Sequence, residues 1–462
     1  MFIGREKELK TLDRLYSSEH FEFVVMYGRR RVGKTTLLRH FMQGKDSIYC
    51  VGVESNRQQN LENLSQSLWN YGKFLEAVPS FRTFQDALTY AFVMAKDRRI
   101  ALIIDEYPYM ARSEPSLAST LQMLIDQYKE TSKLMLILCG SSMSYMEDHV
   151  LAYKSPLYGR RSGQMKIMPF DFFTACQWFS RFSPEDKALA YGMVGGTPQY
   201  LRQIDDCLSI KENIENLFLN PDSPLYEEPT SLLKQEVREP ALYNAIISAI
   251  AGGATKLSVI ASKVGESTST CSSYLKNLID LGLIEKETPY GEKESRRSIY
   301  HLADHFFRFW YRFIPDNISL IAQGASPFAY TRIVPHLSDY MGDIFADICR
   351  QYLWKERLSG KVPIPFSSLG RWWGTDPGER KQTEIDIMGA ADAHTALFGE
   401  CKWRNEPIDS AILETLLHRS RLFPYTNVQL CLFAKRGFTK GCMEEASRLG
   451  HVSLYSYEDM FR

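Results

Sequence analysis

At 462 residues the chain is too long for a single hydrophobic core, which predicts about two to four domains. Its 44% hydrophobic and 24% charged residues are those of a globular protein, and no stretch approaches the roughly eighteen uninterrupted apolar residues of a membrane span, so a membrane-embedded chain is excluded. Fifty-five basic residues balance fifty-five acidic ones, which excludes a global attraction to nucleic acid and leaves only local patches for such contacts.

The opening, MFIGREKELKTL, is charged within its first seven residues and lacks the apolar core and small-residue cleavage site of a secretory leader, which predicts the cytoplasm. The nine cysteines, an odd number with no CxxC pair, read as reduced and mostly buried thiols.

FEFVVMY has the aromatic and β-branched bias of a buried strand, and KTTLLRHFMQ has helical spacing, so the glycine loop between them joins strand to helix. Gly28, then Arg29, Arg30, Arg31 and Val32, then Gly33, Lys34 and Thr35 spell a phosphate-binding loop, with Thr36 continuing the helix. Such a loop cradles phosphate on backbone N–H groups at a helix N-terminus. Glycine permits positive φ or close approach, Lys34 would reach the β- and γ-phosphates of ATP, and the Thr35 hydroxyl would ligate Mg²⁺.

RIALIIDEYPYM supplies the acidic element such a loop requires: Asp105 would hold Mg²⁺ through water, and Glu106 would orient or deprotonate the attacking water. KLMLILCGSSMSYM ends an apolar strand in Gly140, Ser141 and Ser142, where Ser141 either senses the γ-phosphate or sits in a polar turn. In SPLYGRRSGQMKIMPF, Arg160 or Arg161 can stabilise the transferring phosphate, from the same chain or a neighbouring subunit. Strand and helix patterns alternate over residues 21–140, which predicts a parallel α/β sheet.

FIGREKEL, GRRRVGKTTL, LIIDEYPYM, LCGSSMSYM, PLYGRRSG and GGTPQYL, in this order, resemble the archaeal-type ATPases, a branch of the AAA+/STAND-like P-loop NTPases. The resemblance implies that Phe2, Ile3, Gly4 and Arg5 help form the adenine pocket and that the GGTP helix belongs to a lid. It further implies a P-loop ATPase core over 1–170, a helical lid and connector over 171–230, a winged helix over 231–315, and a nuclease-like domain over 325–462.

NPDSPLYEEPTSLL reads as a proline-rich connector. After it, YNAIISAIAGGATKLSVIASKVGESTSTCSSYLKNLIDLG reads as three helices, the last with hydroxyl residues for its N-cap and Gly282 as its stop. LIEKETPYGEKESRRSIYHL alternates like a hairpin, completing a winged-helix pattern. Its charge is mixed: Lys276 stands against Asp280 on the candidate recognition helix, and Glu292 and Glu294 stand beside Lys293, Arg296 and Arg297 on the wing. Ser267, Ser269, Ser272 and Tyr274 offer hydroxyls to DNA, while intramolecular or protein contacts suit the same surface. DHFFRFWYRF reads as core or interface.

EIDIMGAADAHTALFGECKW places Asp386 on one strand and Glu400, Cys401 and Lys402 on the next, with Glu400 and Lys402 on one face. Two carboxylates that bind Mg²⁺ beside a lysine that steadies a water or phosphorane charge suit metal-assisted phosphodiester hydrolysis. The segment resembles the PD-(D/E)XK nuclease core. That family carries a glutamate on the preceding helix where YMGDIFADICRQYL has Ala346. Asp343 and Asp347 are substitutes that helical geometry turns away from the Ala346 direction, and Glu384 is a further candidate. Two readings follow: an Mg²⁺-dependent ATPase acting on DNA, or a STAND-like switch with protein partners and an inert nuclease-like domain, either as a monomer or a homo-oligomer.

Overall fold

Five segments of the first part of the chain form strands β1 (Glu22–Tyr27), β2 (Ser47–Val51), β3 (Ile100–Asp105), β4 (Leu134–Gly140) and β5 (Gly163–Lys166). The computed structural model describes residues 2–72, 80–293 and 296–461; Glu294 lies outside the described residues. Two compact units divide it: Met1–Phe170 with Thr197–Gln199, and Asp171–Gly196 with Tyr200–Arg462.

In the first unit the strands are ordered β2-β3-β4-β1-β5, and every neighbouring pair is parallel. Strands β3 and β4 are buried along their whole length, because alternate residues feed two separate apolar cores. Val25, Leu102 and Leu136 enter one core, and Met26, Ile103 and Ile137 the other. Coverage on both faces is why these strands read as continuous apolar runs. Because all strands run the same way, the segments after β1, β3 and β4 emerge at one carboxyl-end edge, where open α/β sheets hold ligands. The P-loop helix, Lys34–Met42, starts there and buries Leu37, Leu38 and Phe41.

In the second unit, helices Pro240–Ala251, Leu257–Val264 and Thr268–Asp280 precede an antiparallel hairpin, β6 (Ile284–Glu287) and β7 (Ile299–Leu302). The Ser267 hydroxyl accepts the Thr270 N–H at 3.1 Å, capping the third helix. Gly282, at φ 68°, ends it. The aromatic helix His305–Phe313 buries Phe306, Phe307 and Phe309 completely, so DHFFRFWYRF is core. The stretch read as a connector is helical over Glu228–Glu236, with Pro229 in the first turn, where a missing N–H costs nothing.

The long helix Ser326–Leu358 leads into β8 (Gly370–Asp376), β9 (Lys381–Ala390) and β10 (Thr395–Lys402). Helix Ser410–Ser420, β11 (Asn427–Ala434), helix Lys440–Leu449 and β12 (Val452–Ser456) complete it. The sheet order is β12-β11-β10-β9-β8, antiparallel on the β8-β9-β10 side and parallel from β10 to β12. The architecture is α/β, with a parallel five-stranded sheet and a separate mixed sheet. Among the described residues no helix is long and apolar enough to cross a membrane.

Candidate functional site

The glycine loop is shaped by close approach. A Cβ on Gly28 would stand 2.3 Å from the Ile167 carbonyl oxygen, so only glycine fits between β1 and the chain beyond β5. Gly33 takes φ 89°, and Arg31 takes φ 74°, a left-handed conformation that is costly for a residue with a Cβ. Lys34, buried, donates from Nζ to the carbonyls of Gly28 at 2.7 Å and Arg29 at 2.9 Å. Thr35 and Thr36 open the helix and are exposed.

Asp105 gathers the second half of the site. Its Oδ2 accepts the Thr35 hydroxyl at 2.8 Å and the Tyr49 hydroxyl at 2.6 Å, and its Oδ1 accepts the Glu106 N–H at 3.0 Å. Glu106, at φ 49°, accepts at Oε2 from the Ser141 N–H at 3.2 Å and the Ser141 hydroxyl at 2.8 Å. Burial, reinforced by Asp105, pushes the Tyr49 phenol up, so it stays a donor.

The other loop arginines brace the cradle. Arg29 donates to the Thr197 hydroxyl at 2.5 Å, and Arg30 to the Tyr109 hydroxyl at 2.7 Å. Arg5, at φ 69°, donates to the carbonyls of Val32 at 3.0 Å and Met168 at 2.6 Å and lies over the Phe170 ring. Its neighbour Gly4 is also left-handed at φ 69°, Ile3 is partly exposed, and Phe2 stacks on His40 of the P-loop helix at 4.0 Å. Arg160 is engaged by Asp126 at 2.7 Å and 2.9 Å, and Arg161 lies over the Tyr158 ring. The loop, Thr35, Asp105, Glu106 and Ser141 thus form one bonded set, whereas both arginines after the β4 segment are held by other partners.

In the C-terminal sheet the pairing partners of β8 and β9 jump from Gly370 with Met388 to Trp372 with Ile385, an extra residue in β9 at Asp386–Ile387. Bulges of this kind re-aim side chains. Here Asp386 Oδ2 accepts the Cys401 N–H at 2.9 Å, which sets its carboxylate beside the end of β10. Glu400, buried, accepts from Lys402 at 2.7 Å and from Arg419 at 3.1 Å. Burial, then the charge of Glu400, raises Asp386 to about 6 against the pull of Lys402. Burial lowers Lys402, but Glu400 and Asp386 outweigh it and hold the ammonium above its ordinary range.

Asp386 lines a cavity of about 440 Å³ with Asp343, Ala346, Asp347 and Arg350 of the long helix and Arg371 of β8. Asp343, exposed, and Asp347, half-buried, line the same cavity as the buried Ala346. Asp343 pairs with Arg308, and Glu384 pairs with Arg371. The hairpin between β6 and β7 docks on β8. The Tyr290 N–H donates to the Arg371 carbonyl at 2.8 Å, the Ala390 N–H to the Tyr290 hydroxyl at 2.8 Å, and Arg297 to the Trp373 carbonyl at 2.9 Å. On the preceding helix Ser269, Ser272 and Lys276 are exposed, and Tyr274 donates to Glu239.

RWWG and DSAILETLLHRSRLF fit the nuclease-core resemblance, but no individual role for their Arg371 and Arg419, or for Tyr49 and Arg350, was legible in the sequence. Alternation in SIYCV, which puts Tyr49 toward the core that receives the P-loop helix, was the available signal for the tyrosine. The arginines carry none, because their partners are distant in sequence.

A family model described as an ATPase domain predominantly from Archaea matches residues 2–204, and one described as archaeal and bacterial proteins of unknown function matches residues 310–414. An uncharacterized protein of Methanocaldococcus jannaschii is 34% identical over 407 residues, 88% of each chain. An uncharacterized ATP-binding protein of the same organism is 41% identical over 54 residues, 11% of this chain and 92% of its own. A Walker-type ATPase of Pyrococcus abyssi has the same fold at a TM-score of 0.51 and 20% identity, over 67% of this chain and 96% of that one. The fold and the bonded loop-and-acid set are those of a P-loop ATPase. This chain belongs to the archaeal-type ATPase family and is an ATP-binding, ATP-hydrolysing protein.

Proposed function

We propose that ATP hydrolysis here is Mg²⁺-dependent and drives a C-terminal module that cuts or remodels DNA. The donors at the first site suit Mg²⁺: a hydroxyl and a carboxylate already share a hydrogen bond, both hard oxygen ligands at the start of a helix. Mg²⁺, when bound, neutralises charge on the β- and γ-phosphates. Thr35 would hold it directly and Asp105 through water, Lys34 would exchange its loop carbonyls for phosphate oxygens, and Glu106 would take the proton of the attacking water once the Ser141 hydroxyl stops donating to it. Arg161, stacked on an exposed tyrosine, is the arginine better presented to a second copy of the chain, since Arg160 is tied to Asp126. The chain works in the cytoplasm on this reading, in keeping with nine free cysteines, eight of them buried.

The DNA assignment rests on one observation: the β9 bulge brings Asp386 next to the strand that carries Glu400 and Lys402. Two carboxylates and a lysine of raised proton affinity suit a divalent cation and a scissile phosphodiester, which supports a PD-(D/E)XK-like reading of this sheet. The three helices and hairpin before it are read as a winged helix whose exposed serines and Lys276 face DNA.

The test is full-length protein with Mg²⁺ or Mn²⁺, with and without ATP, on linear, nicked and branched DNA. Cleavage that vanishes in Lys402→Ala, and loses its ATP dependence in Lys34→Ala, is the expected result; DNA neither shifted nor cut overturns it. A second reading, a nucleotide-driven switch for protein partners, is favoured by the docked hairpin. Its Tyr290 and Arg297 are engaged by the backbone of β8, while Lys293 and Arg296 stay exposed.

A further inference from the structure

We infer that Tyr49 is a positioning residue of the ATPase site, whose hydroxyl locks the Asp105 carboxylate in the single orientation that serves a metal bound at Thr35. The inference rests on the Mg²⁺ reading above. An ionised carboxylate has about four lone-pair directions. At Asp105 two donors, Thr35 at 2.8 Å and Tyr49 at 2.6 Å, occupy Oδ2, and the Glu106 N–H at 3.0 Å occupies one direction of Oδ1. These three donors, together with the Cys139 thiol that also bonds to the carboxylate, fix where its oxygens point.

Tyr49 reaches the site from β2, the strand next to β3, where it is paired with Ile103 two residues before Asp105. A side chain on the neighbouring strand that spans this offset must be long and rigid, end in a donor, and carry no charge that would compete with Mg²⁺. Tyrosine meets all of these conditions, and its ring is held among the apolar residues of the core that receives the P-loop helix. Thr35 and the Glu106 N–H hold one oxygen each, and Thr35 is the group a metal engages; Tyr49 is the donor from a neighbouring strand that keeps Oδ2 in place when Thr35 turns to the metal. Donors behind a metal ligand orient it, and removing one typically costs about tenfold to a hundredfold in metal affinity.

The test is Tyr49→Phe, which keeps the ring and its packing and removes only the donor. Binding of a fluorescent ADP analogue to the full-length protein is titrated against free Mg²⁺ and repeated in EDTA, with a melting curve as a check on the fold. The expected result is a roughly tenfold rise in the Mg²⁺ concentration for half-maximal response, with affinity in EDTA unchanged. An unchanged or tightened Mg²⁺ response overturns the inference, and so does an equal loss in EDTA, which would make Tyr49 a support of the nucleotide pocket rather than of the metal. Asp105→Asn is run in parallel. If it too leaves the Mg²⁺ response untouched, the metal assignment has failed, and the role of Tyr49 fails with it.

Discussion

Replacing Asp386 with Asn should stabilise the second unit, and more so at alkaline than at acid pH. Burial and the charge of Glu400 raise Asp386 from its ordinary 3.8 to about 6, so ionisation is harder in the folded chain than in the unfolded one. A tenfold change in proton affinity is about 1.4 kcal/mol, and the rise is worth about 3 kcal/mol once both states are ionised. Below the unfolded value both states carry the proton and the penalty is absent; it grows as pH rises through the interval and is complete above the folded value. Linkage gives about half of it at pH 5 and nearly all of it by pH 8. Asn preserves the size of the side chain and an oxygen for the Cys401 N–H, so little else changes. Urea unfolding of metal-free wild type and Asp386→Asn, followed at both pH values by hydrogen exchange in β9 and β10, measures the difference. An advantage of the same size at pH 5 and pH 8, or none, would refute the reasoning. The accompanying loss of any metal-dependent activity is the usual exchange of stability for a functional charge.

Gly28→Ala forces its Cβ to 2.3 Å from the Ile167 carbonyl; the loop must move, and ATP hydrolysis should fall about a hundredfold in a phosphate-release assay. Glu106→Gln keeps the bond from Ser141 but removes the proton acceptor, so fluorescent-ATP binding should persist while turnover drops by about 10² to 10⁴. Tyr290→Ala removes the acceptor of the Ala390 N–H, and exchange at that amide should accelerate up to about tenfold, the worth of one net hydrogen bond. Unaltered exchange at Ala390 would mean that the docked hairpin contributes nothing to closing that edge.

Legibility in the sequence followed the range of the interaction. The P-loop could be read because Gly28, Gly33, Lys34 and Thr35 act within one turn between a strand and a helix, so spacing alone carries the geometry. The same holds for Ser267 as a cap and Gly282 as a stop. Least was legible where two elements had to be oriented against each other. Asp343 and Asp347 were placed on the helix correctly, but which way that helix faces is set by its packing, and the cavity beside Asp386 includes both. The charges counted for the hairpin tip gave no sign that Tyr290 and Arg297 are consumed by β8, a partner more than seventy residues away in sequence.

By itself the sequence determined the class of fold and the chemistry of the first site, since apolar runs covered on both faces and a glycine-framed loop have few other solutions. Strand order was the work of tertiary structure, which sets β4 between β1 and β3 and brings Lys34, Asp105 and Ser141 to one edge. So were the Tyr49 hydroxyl on Asp105, the bulge that turns Asp386 toward β10, and the Arg419 guanidinium that answers the buried Glu400. The reason is physical: a hydrogen bond between strands depends on register and twist, which a chain acquires only when its sheets close on their cores.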